Sequence, residues 1–552
     1  MKIQMGSFSI PRSLPYIPYS SAVLESYVKN REDPPACEFL EPIYKYDDIP
    51  DPECEILGLT CYVWSQDHVD QIAKDHKEKY PNCTIMYGGP NIPVSPTEWL
   101  KYEGERPWVD VFVAGSGEEI FVQLLKEYPD FTQKWYKLEK DVKRYTYETP
   151  IPYVDGTLDK FLKRKDEKFV AVLETNRGCP FKCAYCDWGD ATGGKVSKYD
   201  GDVNYKTLDL IMDSEAMTGI KIIDANWGMY ERDLDMTKYM RDHKREDVFV
   251  SLCGTAKNSI KYVPEISKIF FQDNFAAESG HWTPLKLGIQ SWSEKTLAYN
   301  DRSNIKTSQL EYLLNYYKDN DIPYHSELIL GLPGETPESW LYTLDKDHGH
   351  GVETQAFHAL EAVPNMPLLL NHREEYELEL HSAYALRENI YSVHPKFYHR
   401  NRDLVYDDFN ENVDKTKIVR KDLINSCFSF SHEELMTMYD YTWWMNTFNN
   451  TKLLPDIKKP SEDILWFFDN LDKMPFWKSR VEEHRAHWRE AMIEGKILSA
   501  GSLRYWFHTM FRADELMYVG ENFEQAQDEM GRKFRPFKKS LRVYDYEYTI
   551  PH

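Results

Sequence analysis

The 552-residue sequence has no run of about 18 apolar residues, the length a helix needs to cross a bilayer. Its start, MKIQMGSFSIPRS, carries neither a hydrophobic signal core nor a polybasic segment, so export and membrane insertion are not expected. Cysteine is scarce, nine in the whole chain, which excludes a disulfide-built scaffold and points to a reducing compartment, the cytoplasm. Basic charge is in deficit: 67 Lys plus Arg stand against 90 Asp plus Glu, a net charge of −23. No long basic run is present to track a phosphate backbone, so a polynucleotide substrate is disfavoured, and no membrane partner is expected. Aromatics are plentiful at 14%, with 15 Trp and 38 Tyr, and read as filled cores and interfaces rather than a recognition surface.

A chain of this length exceeds one core and predicts about three to four domains. Over residues 1–145, β-rich runs alternate with amphipathic stretches: KIQMGSF, EFLEPIY, EILGLTCYV, CTIMYGG and VDVFVAG are the expected strands. This pattern predicts an α/β, doubly wound, Rossmann-type unit whose ligand lies beyond the carboxyl ends of its strands. Two glycine turns fall at such ends, Gly88-Gly89-Pro90 and Gly115-Ser116-Gly117-Glu118, where positive φ lets a bulky ligand approach the backbone. A plain strand-to-helix turn explains the second equally well. Residues 146–165, rich in proline, glycine and charge, read as a linker. From 166 to 370 six apolar segments alternate with helical stretches, beginning at residues 169, 220, 248, 285, 324 and 355, which implies a parallel sheet. Residues 371–552 are helical in pattern and dense in aromatics, with Trp443 and Trp444 expected in the core.

The informative string is CPFKCAYC, placing Cys179, Cys183 and Cys186 after the strand FVAVLET and an Arg-Gly turn. The spacing suits an iron–sulfur cluster held by three thiolates, with one iron left without a protein ligand. An electron-transfer cluster is normally fully ligated, whereas an open metal position accepts a substrate. A structural zinc knuckle would need a nearby fourth ligand, and residues 187–240 contain neither cysteine nor histidine. The six other cysteines, Cys37, Cys54, Cys61, Cys83, Cys253 and Cys427, stand singly and read as small buried hydrophobes. His348 and His350 read as a solvated turn.

With Tyr185 just before its last cysteine, the motif resembles the signature of the radical S-adenosylmethionine (radical SAM) enzymes. That resemblance implies a partial (β/α)6 barrel, a [4Fe-4S] cluster on Cys179, Cys183 and Cys186, and a 5′-deoxyadenosyl radical from S-adenosylmethionine. It also makes Asp224 and Asn226, in IIDANWG, candidates for holding the methionine amine, and Lys257 a candidate for its carboxylate. Gln290 and Ser291 fall near the ribose, and Gly331, in LILGLPGET, beside the adenine. Glu335 reads as a cap of the next helix, and Glu361, Pro364 and Asn365 resemble the end of a sixth strand. Ahead of the barrel, Tyr62-Val63-Trp64, YGGPN and AGSGEE resemble the cobalamin-binding domain of many radical SAM enzymes. The Asp-x-His-x-x-Gly string of other corrin modules is missing between residues 35 and 60, so no protein histidine is expected on cobalt.

The leading expectation is thus a cobalamin-dependent methyltransferase acting on a carbon centre of a small molecule or peptide, fed by an external flavodoxin- or ferredoxin-type reductant. The C-terminal region would shape the substrate pocket. Two alternatives share the architecture: radical cyclisation, ring contraction or oxidation without methyl transfer, and a non-enzymatic corrin sensor with redox-switch cysteines.

Overall fold

The computed structural model describes residues 1–9, 14–138, 151–188, 195–199, 201–256, 259–272, 285–352, 354–386, 418–492, 497–498, 519–520, 522–535, 540–543 and 546–549. The first strands are β1 (Lys2–Gly6), β2 (Glu38–Phe39), β3 (Ile56–Thr60), β4 (Thr84–Gly88), β5 (Val111–Ala114) and β6 (Trp135–Lys137). They form one parallel sheet in the order β2-β1-β3-β4-β5-β6. Apolar residues on both sides of β3, β4 and β5 explain the layers, because a parallel strand is buried on both faces. Ile56, Met86 and Val111 pack with Val28, Ile120 and Leu124 of the helices Tyr19–Lys29 and Glu118–Glu127. Leu57, Ile85, Tyr87 and Phe112 pack with Val69 and Ala73 of the helix Gln66–Lys79. Winding reverses between β1 and β3, which opens a crevice beyond their carboxyl ends. The five expected strands are all present, although EFLEPIY pairs over only Glu38–Phe39 and an Ile43 bridge. The sixth, β6, has three residues, too few for a periodic signal.

The connection after residue 150 is fastened to both of its neighbours. The Tyr153 hydroxyl donates to the Val172 carbonyl at 2.8 Å and accepts from the Val172 amide at 3.1 Å. Asp155 accepts from the Ser26 hydroxyl and, at 2.8 Å, from the Asn30 amide.

Next come β7 (Phe169–Leu173), the short pair β8 (Asn176–Arg177) and β9 (Ser197–Lys198), then β10 (Met217–Ile222) and β11 (Phe249–Leu252). They are followed by β12 (Leu285–Gln290), β13 (Tyr324–Leu330) and β14 (Gln355–Ala359). Two three-stranded parallel sheets result, β11-β10-β7 and β12-β13-β14. The Thr255 hydroxyl donates to the Lys286 carbonyl at 3.4 Å and spans the space between them.

The C-terminal region departs from the helical expectation. Helices are present at His432–Trp444, Pro460–Asp469, Pro475–Met492 and Phe523–Met530, but so is a sheet. In it β15 (Glu379–Leu386) pairs antiparallel with β16 (Ile418–Ser426) and parallel with β17 (Ile497–Leu498). Leu380, Ala383 and Tyr384 fit a helical face as well as a strand, and cross-strand pairing overrides local pattern here. Trp443 and Trp444 are in the core, at 1% and 0% exposure. A π-helical turn, Met445–Asn450, follows them and presents Asn450 to β14, where its amide exchanges two 2.9 Å hydrogen bonds with the Gln355 backbone.

Candidate functional site

The chain leaves β7 and turns through Thr175 and Asn176 toward the first cysteine. Asp224, just past β10 and 1% exposed, holds that turn. Its carboxylate accepts from the Thr175 amide at 2.9 Å, the Asn176 amide at 3.3 Å, Asn176 Nδ2 at 2.8 Å and the Thr175 hydroxyl. Burial pushes the Asp224 carboxyl up to about 7 although these donors pull the other way. Arg177 donates to both Glu174 oxygens at 2.7 Å and, with Nη1, to Glu118 at 2.8 Å. Glu118, expected to meet a cofactor, is therefore engaged by the segment that carries the cysteines.

Cys183 is buried, while Cys179 and Cys186 are half-buried. Asn226 Nδ2 donates to Cys179 Sγ at 3.2 Å, and Arg302 Nη1 to Cys183 Sγ at 3.5 Å. The same Arg302 nitrogen donates to the Tyr185 hydroxyl at 2.6 Å, and Nη2 reaches the Gly288 carbonyl. Burial pushes the Cys186 thiol up to about 12, and the nearby Asp187, Cys183 and Cys179 act in the same direction. The three thiols lie near enough to act on one another electrostatically and two of them receive N–H groups, a donor set that fits an anionic iron–sulfur centre. Arg302 was not foreseen: it lies 119 residues from Cys183, and no local pattern marks it.

At the end of β12, Gln290 has φ +70, rare for a residue with a side chain. It is 9% exposed, and its Oε1 is buried without a hydrogen-bond partner. Gln290 thus combines a strained backbone with a buried, unsatisfied acceptor. Ser291 differs: its hydroxyl donates to Glu335 at 2.9 Å and lies 3.1 Å from Thr343 Oγ1. Glu335, pushed up to about 7 by burial, also accepts from Ser339 in the first turn of the helix Pro337–Gly349. Gly331 turns at φ +90, where an added Cβ would meet Leu435, Leu360 and Phe430. Lys257 lies outside the described residues.

A charged group unmarked by any motif crosses β12, β13 and β14. Glu327 lies 3.2 Å from Lys286 Nζ and 3.6 Å from His358 Nε2. Burial opposes its ionisation, yet Lys286, His358 and His325 hold its carboxyl well below the usual range. The available signal was alternation: Ser326, Leu328 and Leu330 are buried, leaving His325, Glu327 and Ile329 on the other face.

Across the first sheet, Tyr62 and Trp64 stack at 4.5 Å and 9°, with Val63 half-buried between them in sequence. Trp64 Nε1 donates to the Phe8 carbonyl at 3.0 Å. At Gly115, φ +81, an added Cβ would meet nothing within 4 Å, so the backbone there faces open space. Ser116 is half-buried beside it, and Gly117 is the N-cap of the next helix. Gly88 ends β4. Gly89 has an internal reason, since a Cβ there would come 2.8 Å from the Cys61 carbonyl. Asn365 fastens the following loop: its Nδ2 donates to Pro90 and Ile92 carbonyls at 2.8 and 2.9 Å, and its Oδ1 accepts from the Val94 amide at 2.9 Å.

Three smaller expectations need correction. Cys253 is exposed and Cys37 half-buried, whereas Cys54 and Cys83 are not single but 3.7 Å apart. His348 ends a helix and meets the Ile457 carbonyl at 3.2 Å, and His350 stacks on Trp292 at 4.6 Å, so neither belongs to a free turn.

No family model matches the chain. It is 30% identical over 393 residues, 64% of its length, to the cobalamin-dependent radical SAM methyltransferase TokK of Streptomyces tokunonensis. It is 29% identical over 358 residues, 59% of its length, to the 2-(S-pantetheinyl)-carbapenam-3-carboxylate methyltransferase of Streptantibioticus cattleyicolor. These matches cover 54% and 50% of those proteins, so the chain spans about half the length of the curated relatives it matches. The solved structure of the radical S-adenosylmethionine methyltransferase TsrM of Kitasatospora setae, with tryptophan and a SAM analogue, aligns at 15% identity and a TM-score of 0.48. That alignment covers 69% of this chain and 78% of TsrM. The resemblance carried by CPFKCAYC and the segment before it is borne out by the two curated relatives.

Proposed function

We propose that the protein is a cobalamin-dependent radical SAM methyltransferase acting on a carbon centre of a small molecule or peptide in the cytoplasm. The observation that carries this reading is the thiol trio, with Asn226 and Arg302 donating to two of its sulfurs and the Gln290 amide and Arg302 flanking Gly288 together. In this layout, residues 1–145 hold the corrin, 146–165 connect, 166–370 form a partial (β/α)6 barrel, and 371–552 shape the substrate pocket. No helix among the described residues is long and apolar enough to cross a membrane.

When bound, the [4Fe-4S] cluster supplies the electron that cleaves the sulfonium of S-adenosylmethionine, and the corrin supplies the methyl group. Cys179, Cys183 and Cys186 would hold the cluster as thiolates, giving up their protons on binding. Asn226 and Arg302 stabilise negative charge on the sulfurs through N–H···S bonds. Gln290 offers its free Oε1 to a ligand hydroxyl, which satisfies an acceptor otherwise costly to bury. Asp224 is a positioning residue that fixes the entry to the cysteine loop. Tyr62, Val63, Trp64 and the open Gly115-Ser116 turn would hold the corrin. Glu327, Lys286 and His358 would offer polar groups to a substrate from the face of the β12-β13-β14 sheet opposite Ser326, Leu328 and Leu330.

The test is anaerobic incubation of the reconstituted enzyme with cobalamin, S-adenosylmethionine and a one-electron reductant. Both 5′-deoxyadenosine and S-adenosylhomocysteine are expected. A preparation that makes the first and never the second, across the substrates tried, would retain radical chemistry and eliminate methyl transfer.

A further inference from the structure

The loops at the amino ends of β3 and β4 bring together three donors far from the cysteine motif. Cys54 precedes β3, Cys83 precedes β4, and His76 lies in the last turn of the helix that joins those strands. Cys54 Sγ is 3.7 Å from Cys83 Sγ and 3.5 Å from His76 Nε2, and the ligand atoms of all three lie within 4.8 Å of one another. All three residues are 4% exposed.

These distances match the edges of a coordination tetrahedron. With Zn–S of about 2.3 Å and Zn–N of about 2.05 Å, tetrahedral angles require S···S of about 3.8 Å and S···N of about 3.5 Å. A disulfide would instead require the sulfurs to close to about 2.05 Å and would leave His76 without a part. Octahedral oxygen-seeking cations are excluded by the soft donors. Charge agrees as well: two thiolates and a neutral imidazole around a divalent ion sum to zero, which avoids leaving net charge in a buried place. Lys77 steadies the Cys83 loop, with Nζ donating to the Cys83 carbonyl at 2.8 Å and to Asp110 at 2.7 Å.

We propose that Cys54, His76 and Cys83 bind one zinc ion, with water as fourth ligand, at the end of the first sheet opposite its ligand crevice. The five residues of β3 separate the two ends by roughly 15 Å, so this ion takes no part in the chemistry proposed above. It ties two adjacent strands to their crossover helix, and binding releases the two thiol protons. The inference is independent of the radical SAM reading, because no donor is shared.

Zinc and iron are measured together on the full-length, anaerobically reconstituted protein. One zinc per chain is expected, alongside the iron of the cluster, and the zinc absorption edge should report two sulfur neighbours and at least one nitrogen. C54S/C83S should lose the zinc and keep the iron. Should that variant misfold, H76Q supplies the second arm: zinc should pass faster to a chromophoric chelator while the iron content stays level. Zinc retained in C54S/C83S would place it on Cys179, Cys183 and Cys186 and overturn the assignment. So would a zinc-free wild type after zinc titration, or a Cys54–Cys83 disulfide in a denatured, alkylated digest.

Discussion

The two thiol clusters use the same soft donors in opposite ways. Cys179, Cys183 and Cys186 come from eight consecutive residues, stand at the carboxyl ends of strands and keep two of three residues half-exposed. Cys54, His76 and Cys83 come from thirty residues, stand at the amino ends and are closed off from solvent. In the first, Asn226 and Arg302 turn N–H groups onto two of the three sulfurs, which suits the anionic cluster proposed there. In the second, the donors approach one another to the edges of a single ion's shell. Local spacing along a loop brings the first set of thiols together, whereas topology brings the second.

The largest effect expected is from Cys183→Ala. Cleavage of S-adenosylmethionine should fall at least about a thousandfold, the scale of losing an obligatory catalytic group. Metal analysis should find iron lost and zinc unchanged, and a parallel loss of zinc would merge the two clusters. Asp224→Ala should cost about 3 kcal/mol in denaturant unfolding, because several buried donors of Thr175 and Asn176 lose their acceptor. Its iron content should fall while zinc stays at one per chain. Asn365→Ala removes three hydrogen bonds between the β4 loop and the segment after β14, at a cost of about 2 kcal/mol. Cobalamin retention on gel filtration should weaken in that variant, with both metals held.

The smallest effect concerns pH. The folded values of Asp224 and Glu335, about 7, lie above their ordinary values of 3.8 and 4.5 because burial disfavours their charged forms. Groups raised in this way favour the folded state below the ordinary value, and that contribution is lost as pH rises through the folded one. Stability should therefore decline from about pH 4 to about pH 7 through these groups. Glu335→Gln should flatten part of that decline, gaining on the order of 1–2 kcal/mol on wild type between those limits. A difference in melting temperature that does not change with pH would refute it.

The clusters also mark how far the sequence can be read. The strands of the six-stranded sheet and of the two three-stranded parallel sheets alternate with amphipathic helices, so their order was legible, and CPFKCAYC is compact enough to point to its chemistry. Arg302, Glu327 with Lys286 and His358, and the Cys54–His76–Cys83 group are assembled from separate elements, with nothing nearby to distinguish them from ordinary polar or buried residues. The β15–β16 pair was misread because its apolar spacing serves helix and strand alike. Gln290 was placed near a ligand by resemblance, but its positive φ and lone acceptor are visible only in three dimensions.

Arg177 stands two positions before Cys179, braced on one side by Glu174 and on the other by Glu118 from the first sheet's turn. It works as a strut. A shift of the helix that begins at Glu118 is therefore felt, through this guanidinium, in the segment that leads into Cys179, so the geometry of the first sheet's turn and that of the cysteine loop are coupled.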